Sequence, residues 1–76
     1  RPLRASLDAI ETEIAAIEQR RREIERGLAD PASAQTPDQI KQWSIEYRES
    51  TPRLERLYSQ WAETSMEIER IEGHTG

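Results

Sequence analysis

The densest group of chemically capable side chains is cationic: Arg20-Arg21-Arg22, with Arg26 one turn further on. Guanidinium groups suit phosphate oxygens, which they meet with paired, charge-assisted hydrogen bonds. Arg22 and Arg26 are four residues apart and share an outer helix face. Lys41, Arg48 and Arg53 fall at comparable heights on a second helical stretch. Arg20, Arg22, Arg26, Lys41 and Arg48 therefore form a candidate nucleic-acid-binding set. The competing reading is an ordinary solvated helix surface, with the arginines paired to Glu18, Glu23 and Glu25 at helical spacing. The residue pattern alone favours solvation.

Other chemistry has less to stand on. His74 is alone in a tail and is expected to be solvated, and with no cysteine in the chain no metal site is expected. The pairs Glu11/Glu13, Glu23/Glu25 and Glu67/Glu69 are two apart, so they do not share a helix face as an acid–base pair would. There is no glycine-rich phosphate loop. No catalytic residue and no cofactor is expected, and the chain does not read as an enzyme by itself. Of the four aromatics, Trp43, Tyr47 and Trp61 fall on an apolar seam and are expected in the core. Tyr58 lies beside it, half exposed. Stacking on bases is the sharper alternative for the four.

These side chains must be positioned by helices. Leu3, Leu7, Ile10, Ile14, Ile17, Ile24 and Leu28 recur at alternating spacings of four and three, with one step missing at Arg21. That spacing draws a single stripe along a helix, and only a second helix can cover it. Ile40, Trp43, Tyr47, Leu54, Leu57, Trp61, Ile68 and Ile71 supply the answering stripe. Pairing residues whose numbers sum to 71 sets Ile24 against Tyr47, Ile17 against Leu54 and Ile14 against Leu57. It also sets Arg21, the one charged step, against the polar Ser50. The prediction is all-α: an antiparallel two-helix coiled-coil hairpin in a single domain, residues 1–76. Helix 1 covers about 2–29, the loop about 30–36 and helix 2 about 37–72.

Local signals agree. Pro2 suits a first helical turn. Asp30-Pro31 ends helix 1, because proline disfavours helical geometry in the residue before it. Thr36, Pro37, Asp38 and Gln39 read as an N-cap, a first-turn proline, a dipole-complementing acid and the far side of a capping box. Pro52 is the misfit: inside a helix it removes a hydrogen bond, at a cost of about 3 kcal/mol. A kink or short break is expected at residues 49–52, as a bend or a hinge. Gly73 to Gly76 are expected to end and fray the helix.

Composition narrows the class further. Hydrophobic and charged residues each make up 34% of the 76-residue chain, a balance that suits a thin seam better than a globule. No apolar run is long enough to span a membrane. The net charge of −4 is unevenly spread: residues 20–53 balance to +1 and the rest to −5. The outward positions are mostly polar, so the chain is expected to be monomeric. The opening Arg1-Pro2-Leu3-Arg4, without an initiator methionine, reads as a piece of a longer protein, and the lack of cysteines sits easily with the cytoplasm.

With those residues in place, the chain resembles the C-terminal coiled-coil domain of bacterial ABC-F ATPases. The resemblance rests on Arg1-Pro2-Leu3-Arg4, Leu7, Ile10-Glu11, Ile14, Ile17 and Leu28-Ala29-Asp30-Pro31. It continues through Asp38 to Ser44 and Leu57-Tyr58-Ser59-Gln60-Trp61-Ala62-Glu63. It implies a cytoplasmic parent carrying two ATP-binding cassettes on the same chain, acting on ribosomes, with this hairpin as an accessory module. In one subgroup the corresponding domain is associated with DNA binding. This chain departs from that subgroup in its negative net charge, so duplex DNA, ribosomal RNA and ribosomal protein all stay open as partners. The alternative is a purely structural or oligomerising coiled coil that positions the ATPase domains.

Overall fold

The computed structural model describes residues 2–30, 32 and 36–75. The side chain of His74, and residues 31 and 33–35 of the connection, lie outside the described residues. Two helices account for the fold: α1, Pro2–Ala29, and α2, Pro37–Thr75. They pack against each other as a hairpin, and among the described residues there is no strand. At about 1.5 Å per residue, the 39 residues of α2 should span about 58 Å, and the molecule is 57 Å along its longest axis. α2 therefore sets the length, and the shorter α1 lies along it.

The start of α2 is held as its residue types dictate. Thr36 Oγ1 accepts the Gln39 N–H at 3.1 Å, and its carbonyl accepts the Ile40 N–H at 3.0 Å, so the cap and the first helical turn form together. Past the end of α1, Asp30 Oδ1 accepts the Ala32 N–H at 2.9 Å, a local turn that diverts the chain.

The core is one seam. Ile14, Ile17 and Leu57 are buried together with Ile10 and Leu54 packed on them. Ile24 and Ile68 close the seam on either side, Ile24 being the most completely covered. The ladder opens at both ends: Leu28 and Ile40 are 40% and 41% exposed, and Ile71 is 49% exposed. In the register pairing numbers that sum to 71, Ile40 and Ile71 lie beyond the last rungs that α1 supplies.

Of the kink or short break expected at residues 49–52, the break is absent: α2 is helical through Pro52. Proline removes the N–H that would bond the Arg48 carbonyl, but Arg48 and Pro52 are both exposed, so water can take that carbonyl. The residues on either side stay packed on α1. Nor does the helix end at about residue 72: it continues to Thr75. Among the described residues no glycine has a positive φ, so Gly73 keeps helical geometry instead of forming the left-handed cap that would stop it.

Candidate functional site

The two long sides of the seam carry different chemistry. On one side, arginines and carboxylates pair between helices. Arg20 donates to Glu46 through Nε at 2.7 Å and Nη2 at 3.1 Å, and reaches Glu23 at 3.4 Å. Arg53 lies 3.9 Å from Glu13. The Arg20 hydrogen bond holds the Glu46 carboxyl below its ordinary pKa, and the same bond raises Arg20.

On the other side, aromatic donors of α2 meet carboxylates of α1 at three successive heptads. The Trp61 Nε1–H donates to Glu11 at 2.9 Å, the Tyr58 hydroxyl donates to Glu18, and the Tyr47 hydroxyl donates to Glu25. Each tyrosine is raised above its ordinary pKa, first by its bond to the carboxylate and then by desolvation. Arg4 and Glu72, 2.5 Å apart, extend this side towards the open end of the hairpin.

This arrangement corrects the placing of the aromatics. Tyr58 is exposed as expected, but Trp61, expected in the core, is 37% exposed at the edge with its indole N–H turned to Glu11. Trp43 and Tyr47 are half-buried. A seam two helices thick cannot enclose an indole from all sides, so the ring's polar edge stays at the surface, where it finds an acceptor.

The middle of the seam is polar. Arg21 Nη1 donates to the Tyr47 carbonyl at 3.1 Å, to Thr51 Oγ1 at 3.1 Å and to the buried Ser50 hydroxyl. Its guanidinium carbon sits 3.9 Å from the centre of the Tyr47 ring. Ser50 Oγ also donates to the Tyr47 carbonyl, at 2.6 Å. The pairing of Arg21 with Ser50 is the one the seam register requires. The extra feature is that three of these acceptors come from the turn immediately preceding Pro52.

The structure divides the five sequence-derived basic residues. Arg20 belongs to the ion-paired side and is engaged twice over. Arg22 lies three before Glu25 and four after Glu18, which puts it on the aromatic side of α1; its polar contact is to Gln19 Oε1, at 2.9 Å. Arg48 lines a notch of about 320 Å³ with Glu25, Leu28, Ser44 and Tyr47. Lys41, seven before Arg48, shares its face, and Arg26 follows Arg22 by one turn. All four are exposed, and none has a carboxylate within ion-pairing distance among the described residues. Arg56 also has none, but it shares its groove with Glu55 and Glu63 further along α2.

The reason is legible once the tyrosines are placed. Glu18 and Glu25, four before and three after Arg22, are occupied by Tyr58 and Tyr47, and Glu23, three before Arg26, is held by Arg20. Sequence reasoning missed the tyrosine pairs because it matched charges only along one helix. The seam register carries the missing signal: flanking residues that sum to 76 or 66 include Glu18–Tyr58, Arg4–Glu72, Arg20–Glu46 and Glu13–Arg53. Among the described residues no group of three His, Cys, Asp or Glu could hold a metal ion, and no helix is long and apolar enough to cross a membrane.

A family model described as ABC transporter C-terminal domain matches residues 2–66. No curated protein and no solved structure matches the chain.

Proposed function

Since this chain belongs to the family of ABC transporter C-terminal domains, we propose that it is the accessory coiled-coil module of a cytoplasmic ABC-F ATPase. In this reading it is non-catalytic, is carried on the same chain as the ATP-binding cassettes, and contacts nucleic acid or the ribosome. The observation that carries the reading is the group Arg22, Arg26, Lys41 and Arg48. These are four exposed cations of the loop half without carboxylate partners among the described residues, the glutamates at helical spacing from Arg22 being held by tyrosines and the one nearest Arg26 by Arg20. Unpaired cations gathered on one face of an otherwise acidic molecule create a local positive field suited to phosphates. Arg20 is left out of the contact set, since a guanidinium already held by two carboxylates must break those bonds to take a phosphate.

The test is binding of the chain to duplex DNA, single strands and structured RNA across a salt series. The comparison is a variant carrying Arg22→Gln, Arg26→Gln and Arg48→Gln. Binding that strengthens as salt falls, and is lost in the variant, supports a phosphate contact. No binding even at low salt removes the nucleic-acid reading and leaves the structural coiled coil.

A further inference from the structure

Arg48, one of the four cations of the loop half, lines an apolar notch, and that combination narrows the ligand. Leu28 is a seam residue, yet it is 40% exposed at the wall of the notch. Tyr47 lines the same notch with Arg21 stacked over its ring. Arg48 stands at the rim, Lys41 lies about 10 Å further along α2, and Arg22 and Arg26 lie about 6 Å apart on α1. A ligand that satisfies both halves of this surface must present a flat apolar body and negative charge within a few ångströms of each other.

Resting on the reading above, we infer that the notch takes the base of an unpaired nucleotide, with the flanking phosphates held by Arg48, Arg22, Arg26 and Lys41. A duplex keeps its bases stacked inside and presents a rigid wall of phosphates, so it leaves the notch empty. A duplex aligned with the hairpin would also run from the cations over Glu18 and Glu11, whose charges repel it. A single strand or loop can splay one base inward and turn its backbone away before reaching those carboxylates. Glu25, on the lining, is an acceptor for a base amino group while it holds the Tyr47 hydroxyl.

Trp43 is a built-in reporter. Its ring lies against the backbone of Gly27, close enough that a Cβ there would fall 2.7 Å from it, and Gly27 adjoins Leu28. Trp43 and Trp61 are the two tryptophans, so Trp61→Phe leaves Trp43 as the sole indole emitter. In that background the chain is titrated with a labelled single strand, the same sequence as duplex, and a poly-glutamate peptide. Strand anisotropy and Trp43 emission are read together. The expected result is single-strand binding at least about tenfold tighter than duplex, the factor that stacking of one base supplies. Trp43 emission should change in step with binding, and log affinity should fall with log salt at a slope of about −3 for four single-strand phosphates. Arg48→Gln with Arg26→Gln should weaken binding, and Arg20→Gln, checked for helicity, should not. Nucleic acid that binds without strand preference, or with Trp43 unmoved at saturation, overturns the inference and leaves the phosphate contact standing. A peptide that binds as tightly as the single strand overturns it in favour of an acidic protein partner. No anisotropy change with either strand at low salt removes both readings.

Discussion

Replacing Arg21 with methionine completes the apolar ladder of α1, and a view of the hairpin as a hydrophobic seam alone says the change should stabilise it. The structure says otherwise. Arg21 donates to the Tyr47 carbonyl, Thr51 Oγ1 and Ser50 Oγ, and its guanidinium lies 3.9 Å from the Tyr47 ring centre. A hydrogen bond from a charged donor contributes about 1.5–3 kcal/mol and a partly exposed cation–π contact about 0.5–1. Against these, methionine matches arginine in helix propensity and returns about 0.8 kcal/mol per buried methylene. Ser50 keeps its bond to the Tyr47 carbonyl, so no hydroxyl is orphaned. The balance is a loss of about 1–2 kcal/mol, which for a domain this small lowers Tm by roughly 4–16 °C. Thermal unfolding followed by circular dichroism measures it. The acceptors belong to the turn before Pro52, so the loss should also depend on the proline. Pro52→Ala alone should raise Tm, and in its presence Arg21→Met should cost at least about 0.5 kcal/mol less. A Tm for Arg21→Met at or above that of the parent chain refutes the assignment of Arg21 as a polar clamp. An additive double-mutant cycle refutes its link to the proline.

Other perturbations follow from the same contacts. Gly27→Ala gains about 1 kcal/mol in helix propensity, but its Cβ would sit 2.7 Å from the Trp43 ring, and overpacking of that kind costs about 1–3. Gly73→Ala meets nothing within 4 Å and keeps the gain, so the two substitutions should move Tm in opposite directions; both raising it would refute the Trp43 contact. Tyr47 and Tyr58 should ionise above the ordinary tyrosine range, and Glu25→Gln should bring the Tyr47 midpoint down, as followed by tyrosinate absorbance. Because their folded pKa is raised, their contribution is complete below the ordinary tyrosine pKa and is lost as pH rises through the folded value. Glu46 behaves in the opposite sense. Its depressed pKa contributes stability above the ordinary glutamate range that is lost as pH falls through the folded value, so Glu46→Gln should flatten the acid side of the stability profile.

The fold was readable because each of its determinants is local or repeats. Apolar residues at alternating spacings of four and three define the seam wherever they occur, and the Thr36 cap needs only four consecutive residues. The register needed one long-range coincidence, the polar Ser50 facing Arg21, and the hydrogen bond between them fixes it. At Pro52 a break does not form, because the penalty of a proline in an isolated helix interior does not act alone here. In the hairpin, the residues on both sides of it are anchored across the seam, at Ser50 to Arg21 and at Leu54 to the Ile14, Ile17 and Leu57 cluster. A helix pinned on both sides of a proline does not have to break at it.

The cationic surface was only half readable, and the reason is competition for acceptors. Counting charges along α1 gives each arginine a glutamate three or four residues away. A carboxylate on a coiled-coil flank also faces the partner helix, and there a hydroxyl or indole N–H at the seam edge outcompetes an arginine that must give up water and side-chain freedom to pair. Tyr47 and Tyr58 thus decide the electrostatics of a residue they need not touch, leaving Arg22 open by occupying Glu25 and Glu18, while the glutamate at helical spacing from Arg26, Glu23, is held by Arg20. On the opposite side no aromatic intervenes, and Arg20 and Arg53 find Glu46 and Glu13. The test of this competition is Tyr47→Phe together with Tyr58→Phe, which keeps the rings and removes the donors. Freed carboxylates should draw in Arg22 and lower phosphate-ligand affinity at unchanged net charge. Unchanged affinity would show that Arg22 stays open for some other reason.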